Sequence, residues 1–167
     1  EGVVVNPDFI LGPYDVKPTS GQLIVTMAQR WVPFYPAGGK CFQSAHDCAR
    51  GHLLAMQKGQ AGRRYLLGSH NHSYQDFMGM VAAVVGRRPP VWKLPPVVAN
   101  VAGLVGRAGR RVDAHRFAGL DPHVLKSMSA HRYRSDRRAR EELGLEPQPI
   151  ETAIREAHDW FCERGYC

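Results

Sequence analysis

Three groupings in this chain of 167 residues combine residue types and spacings that could do chemistry. Gly103, Gly106 and Gly109 repeat at the interval with which some nucleotide-binding loops cradle a pyrophosphate. Such a loop works only between a strand and the N-terminus of a helix, where free backbone N–H groups face the anion. This run instead follows a proline-started apolar pattern from Pro95-Pro96 to about Gly106 and precedes Arg110-Arg111, so helix C-terminal glycines account for it better. Cys48 and His52 lie one helical turn apart on one face and could begin a metal site. A ligand set needs a third partner at a defined distance, and the other histidine cluster is His70-Asn71-His72. A structural or solvated role suits these residues better, and no metal ligand is assigned.

The third grouping follows Val3-Val4-Val5. A short, uniformly apolar β-branched run reads as a strand buried on both faces of a parallel sheet, and Asn6-Pro7 ends it. Asp8 to Gly21 contains Gly12-Pro13 and Lys17-Pro18-Thr19-Ser20-Gly21, so a loop is expected there. A loop at the C-terminal end of a parallel strand is where open α/β sheets place ligands. In it, Asp8 offers a carboxylate whose ordinary role is to cap a turn. Phe9 and Ile10 are of types more often found in a core. Ser20 offers a hydroxyl, which a turn-forming serine also explains. The backbone of Pro7 to Ile10 could approach a ligand whatever its side chains.

The elements that must position these groups alternate between extended and helical. The spacing predicts helices from about Gln22 to Arg30, on Leu23, Ile24 and Met27, and from Asp47 as N-cap through Lys58, on Leu53, Leu54 and Met56. Ser73 and Asp76 form a capping box opening Tyr74 to Val85, which Gly86 closes. Ser135 caps a helix to Leu143 before Gly144, and Pro149 opens one through Arg164 with the stripe Ile150, Ala153, Ile154, Ala157, Trp160 and Phe161. Asp121-Pro122 starts another through about Ala130. Cys41 to Ala45, Arg64 to Leu67 and Pro89 to Lys93 read as extended. The fold class is α/β, with helices dominating the last half.

No apolar run approaches the roughly 20 residues of a membrane-spanning helix. The start Glu1-Gly2-Val3 carries no signal-peptide pattern and reads like a fragment opening just before a strand. Cys41, Cys48, Cys162 and Cys167 lack the C-x2-C spacing of a zinc site and read as free thiols in a reducing cytoplasm. The net charge of +7 is unevenly placed. Arg107 to Arg140 holds ten Lys or Arg against three acids, which suits an anionic ligand. A nucleic-acid-binding module is the rival class, but the only aromatic residues in that stretch are Phe117 and Tyr133.

Several stretches, taken in order, resemble one family. Val5-Asn6-Pro7 with Leu11-Gly12-Pro13 and Asp15-Val16-Lys17-Pro18-Thr19 resembles the strand and loop after the active-site helix of extended short-chain dehydrogenases. Ser44 to Ala55 resembles that family's V-x-D-V-A-x-G-H helix start, and Gly62-Arg63-Arg64-Tyr65-Leu66-Leu67-Gly68 its G-E-R-Y-I-L-G strand. Ser135 to Gly144, Trp160-Phe161 and Gly165 look like its C-terminal ending, and the branch most resembled holds hopanoid-associated sugar epimerases and dihydroflavonol-reductase-like proteins. The resemblance implies the C-terminal part of a Rossmann-type enzyme that uses NAD or NADP. Residues 1–21 would be the last Rossmann strand and nicotinamide-side loop, and 22–167 a substrate-binding domain with an interleaved returning strand. Asn6, Pro7, Asp8, Phe9, Ile10 and Ser20 would border the cofactor. The partners implied are a sugar-like or anionic small molecule, an upstream N-terminal half and, in the intact protein, a homodimer; nucleic acid and membrane are not among them. The family's Tyr-x-x-x-Lys pair is missing, since Tyr133 has Arg137 at that spacing, so no catalytic residue is assigned. A noncatalytic member that kept the fold as an interaction surface is a third reading.

Overall fold

The computed structural model describes residues 2–95 and 127–167. Two packed clusters organise them. The larger is built on a sheet in which β4 (Gly39–Ser44) is central. It pairs in parallel with β2 (Phe9–Leu11), antiparallel with β6 (His70–Ser73), and in parallel through Gly39 and Lys40 with β8 (His131–Arg132). Helices α1 (Gln22–Gln29), α3 (Tyr74–Val84) and α5 (Ile150–Glu163) pack with this sheet. Their apolar residues meet at Phe42, whose ring stacks on Phe77 at 3.9 Å between centroids. A two-residue pair, β3 (Phe34–Tyr35) with β7 (Trp92–Lys93), lies outside this sheet.

In the smaller cluster, β1 (Val4–Asn6) and β5 (Arg64–Leu66) pair in parallel, Val5 opposite Tyr65. Helices α2 (Ala45–Lys58) and α4 (Arg137–Leu143) complete it. Tyr65, Leu67, Ala55, Ala139, Leu143 and Leu145 are buried together there.

Local signals explain most helix boundaries. Ser73 Oγ accepts the Asp76 backbone N–H at 3.1 Å and donates to its carboxylate at 2.7 Å. Gly86, Gly144 and Gly165 take positive φ just past their helices, where a side chain would be strained. The stripe of α5 is buried at Ile150, Ala153, Ile154, Ala157 and Phe161.

Four expectations need correction. Ser44, not Asp47, caps α2: its hydroxyl accepts the Asp47 N–H at 2.9 Å, so the helix starts three residues earlier. The Asp47 carboxylate is buried and accepts the Gln148 N–H at 3.1 Å. The buried face of α2 is made of Cys48, Gly51 and Ala55, while Leu53 and Met56 are exposed; Gly51 faces the buried Leu67, where a Cβ would lie only 2.7 Å from the Leu67 side chain. The Asp8 to Gly21 segment is not all loop, since Phe9–Leu11 finds a partner in Phe42–Ser44. Finally, Val4 is 49% exposed: among the described residues β1 pairs only with β5, so Val4 is not covered as a central strand would be. Among the described residues, no helix is long and apolar enough to cross a membrane.

Candidate functional site

Because β1 and β5 run parallel in register, they end together, at Asn6 and Leu66. The Leu67 N–H donates to the Asn6 carbonyl at 3.1 Å and holds the two ends side by side. Just beyond them opens a cleft of about 300 Å³, lined by Asn6, Pro7, Asp8, Leu66, Gly68 and Arg134. The carboxyl end of parallel strands is the ligand-binding edge of an open α/β sheet.

Arg134 reaches the cleft from far along the chain because β8 pairs with β4 just before it. The Asn71 side chain then holds its backbone from both sides: the Arg134 N–H donates to Asn71 Oδ1 at 3.0 Å, and Asn71 Nδ2 donates to the Arg134 carbonyl at 2.8 Å. Arg134 Nε stands 3.9 Å from Asp8 Oδ2.

The charges around Asp8 mark this end of the molecule. Burial holds the Lys40 ammonium below its usual range, against the opposing attraction of Asp8. Lys40 Nζ also lies over the Phe9 ring, 4.4 Å from its centroid. Burial first, and the Asp8 charge second, push the Cys41 thiol up to about 11. His72 is lowered by burial first and then by the charge of His70.

Of the residues singled out from the sequence, Asn6, Pro7 and Asp8 come together in the cleft wall. Phe9 and Ile10 lie in β2, where Phe9 packs edge-on against Phe42 at 5.4 Å and Ile10 pairs with Gln43. Ser20 is half-buried outside the cleft lining, in a turn where Asp15 Oδ2 accepts the Thr19 and Gly21 N–H groups, each at 3.0 Å. Cys48 Sγ is 3.8 Å from His52 Nδ1, and that nitrogen is also 2.7 Å from the Cys48 carbonyl within the same helix. The sequence offered Arg134 only as one of ten basic residues suited to an anionic ligand and Asn71 only within the His70-Asn71-His72 cluster, and assigned neither to this site. Leu66 and Gly68 were within reach, as the end of the Arg64 to Leu67 strand pattern.

The Gly103 to Gly109 run, the Pro95-Pro96 helix, Phe117 and the basic residues from Arg107 to Lys126 lie outside the described residues, as does the start of the Asp121-Pro122 helix. Of the remaining basic residues, Arg140 pairs with Asp136 at 2.9 Å, Arg137 with Glu141 at 3.3 Å and Arg138 with Glu142 at 3.9 Å. These three arginines are therefore neutralised locally, and among the described residues Arg134 is the guanidinium in the cleft lining.

Chemically, the cleft offers an amide (Asn6), a carboxylate (Asp8) and a guanidinium (Arg134) around a rigid proline. Such a wall suits a carboxamide, a hydroxyl or one anionic group. Neither β1 nor β5 leads through a glycine-rich turn into a helix N-terminus, so among the described residues it lacks the usual cradle for a pyrophosphate.

No family model matches the sequence. Over 174 aligned positions, 98% of this chain, it is 33% identical to a putative dihydroflavonol 4-reductase of Synechocystis. It is 29% identical over 164 positions, 97% of this chain, to sterol demethylase protein B of Methylococcus capsulatus. A solved nucleoside-diphosphate-sugar epimerase from Pseudomonas aeruginosa superposes on 98% of this chain with a TM-score of 0.79 at 28% identity. The chain spans 49% and 50% of the length of the two curated relatives and 49% of the solved structure. In sequence and in fold, this chain is similar to the C-terminal half of extended short-chain dehydrogenases/reductases.

Proposed function

We propose that this chain is the substrate-side half of an NAD(P)-dependent epimerase or reductase acting on a sugar, a nucleotide-sugar or a related carbonyl or alcohol. In this reading the phosphate-binding loop and the catalytic Tyr-Lys pair lie in an upstream half. The observation that carries it is the cleft at the joined ends of β1 and β5, with Asn6, Pro7, Asp8 and Arg134 in its wall. When bound there, a nicotinamide cofactor supplies the hydride acceptor or donor. Asn6 and the Pro7 backbone would face its carboxamide, and Arg134 would orient an anionic substrate group, which a planar guanidinium binds bidentately. The smaller cluster, β1 and β5 with α2, would then be the edge of the dinucleotide-binding domain, and the larger one the substrate domain.

Exposed apolar groups support an upstream partner. Val4 on β1 and Leu53 and Met56 on α2 lie open to solvent. Beside β1 is a hollow of about 440 Å³ lined by Val3, Val5, His52, Ala55, Met56 and Gly59, among others. These surfaces suit the next strand and helix of a larger sheet.

Calorimetric titration of NAD and NADP into the chain, alone and joined to its upstream half, tests the reading. Micromolar binding is expected only with the upstream half present, because most dinucleotide affinity comes from the pyrophosphate at a helix N-terminus and the ribose on an acidic residue. Micromolar binding by the 167 residues alone would overturn it.

A further inference from the structure

The two cysteines nearest the end of the sequence do not stand apart. We propose that His158, Cys162 and Cys167 form a site for a single thiophilic divalent cation of the Zn2+ class, on the outer end of α5 and away from the cleft.

The site follows from how α5 ends. His158 and Cys162 are four residues apart in the helix, so their side chains share one face, one turn apart. Past the helix, Gly165 takes φ 76° and turns the chain back. The Gly165 N–H donates to the Cys162 carbonyl at 3.0 Å and the Tyr166 N–H to the Phe161 carbonyl at 2.9 Å. Tyr166 is then fixed from three directions. Its ring stacks on Trp160, its hydroxyl donates to the Val16 carbonyl at 2.7 Å, and its own carbonyl accepts from Gln29 Nε2 at 2.6 Å. Cys167 follows directly, and its thiol falls beside the other two groups. The three donor atoms all lie within 4.8 Å of one another.

The spacing suits a metal. At bond lengths near 2.3 Å to sulfur and 2.0–2.1 Å to nitrogen, a tetrahedral ion holds an imidazole nitrogen and a thiolate sulfur roughly 3.5 Å apart. Cys162 Sγ and His158 Nε2 are 3.4 Å apart. The other ring nitrogen, His158 Nδ1, faces Asp159 Oδ1 at 3.3 Å. A carboxylate there accepts a hydrogen bond from Nδ1–H, which keeps the proton on Nδ1 and leaves the Nε2 lone pair for the cation; such a carboxylate is the usual outer partner of a metal-bound histidine. Two sulfurs and one imidazole are soft donors that select Zn2+ or its like over Mg2+ or Ca2+, and three protein ligands leave a fourth position for water. On binding, each thiol releases its proton to solvent as its sulfur bonds to the ion.

The test uses the reduced full-length protein and Co2+ as a spectroscopic probe. One equivalent should give tetrahedral visible bands and a thiolate-to-cobalt charge-transfer band, and Zn2+ should displace it. Cys162→Ser and Cys167→Ser should each lose charge-transfer intensity, and His158→Ala should weaken binding at least about tenfold. Asp159→Asn should weaken it to a lesser degree, while Cys48→Ser should leave the spectrum unchanged. Cys162, Cys167 and Asp159 are exposed, His158 is half-buried and Cys48 is buried, so melting curves check that each variant is folded. Absence of the bands, their survival in Cys162→Ser, or a Cys162–Cys167 disulfide in place of metal uptake would overturn the proposal. The readout is the metal itself, so the outcome is independent of the enzymatic reading.

Discussion

Asn71 holds Arg134 by both its backbone N–H and its carbonyl, and through that clamp Arg134 Nε is set 3.9 Å from the Asp8 carboxylate. Half-exposed pairs at such a distance add less than about 1 kcal/mol to stability. The clamp therefore matters for position more than for folding energy.

If Arg134 orients an anionic substrate group, Arg134→Ala in the full-length protein should raise KM roughly tenfold or more while leaving the melting temperature nearly unchanged. Asn71→Ala should shift KM the same way by a smaller factor. Steady-state kinetics on both variants decide this, and parental KM values in Arg134→Ala would remove Arg134 from the site.

Tyr65 is fully buried, and its hydroxyl donates to Glu142 Oε2 at 2.8 Å while accepting the Gln60 N–H at 3.1 Å. Tyr65→Phe keeps the ring but strands both partners, so a loss of about 1–2 kcal/mol is expected in urea denaturation. An unchanged midpoint would mean that β5 and α4 are not coupled through this hydroxyl.

Gly51→Ala sets two effects against each other. Alanine favours the helix by about 1 kcal/mol over glycine. A Cβ at this position would sit 2.7 Å from Leu67 Cδ1, and Leu67 is fully buried. Overpacking of about 1–3 kcal/mol should win, giving a net loss. Stabilisation would show that α2 does not lie this close to Leu67.

The raised thiol of Cys41 makes stability fall at alkaline pH. In the unfolded chain it ionises near its ordinary value of 9.0, whereas in the fold it holds its proton to about 11. Between these values the folded state binds more protons, so the stabilisation present below pH 9 is progressively lost up to about 11. The loss should be on the order of 2 kcal/mol. Cys48 and Tyr74, both raised mainly by burial, act in the same direction. Urea midpoints across this range under reducing conditions should decline, and Cys41→Ala should flatten the slope. Thiol alkylation at pH 8 gives a second check: exposed Cys162 should react well before buried Cys41 and Cys48.

The sequence by itself determined what depends on near neighbours. The capping box at Ser73 and Asp76, the stripe of α5 and the stop glycines act within a turn or two, so their positions can be read directly. The strand ending at Asn6-Pro7 was legible for the same reason, and with it three members of the cleft wall. Tertiary structure decided what depends on a distant partner. Phe9–Leu11 looks like loop until Phe42–Ser44 supplies its hydrogen bonds. Leu53 and Met56 look like a core stripe, yet α2 turns its small residues inward instead, with Gly51 against Leu67. Arg134 reaches Asp8 only because β8 pairs with β4 and Asn71 fixes the turn, and Cys167 reaches Cys162 only because Tyr166 is held on three sides. Spacing along a chain encodes contacts within one element; contacts between elements depend on which surfaces bury each other, and that is settled only when the whole chain packs.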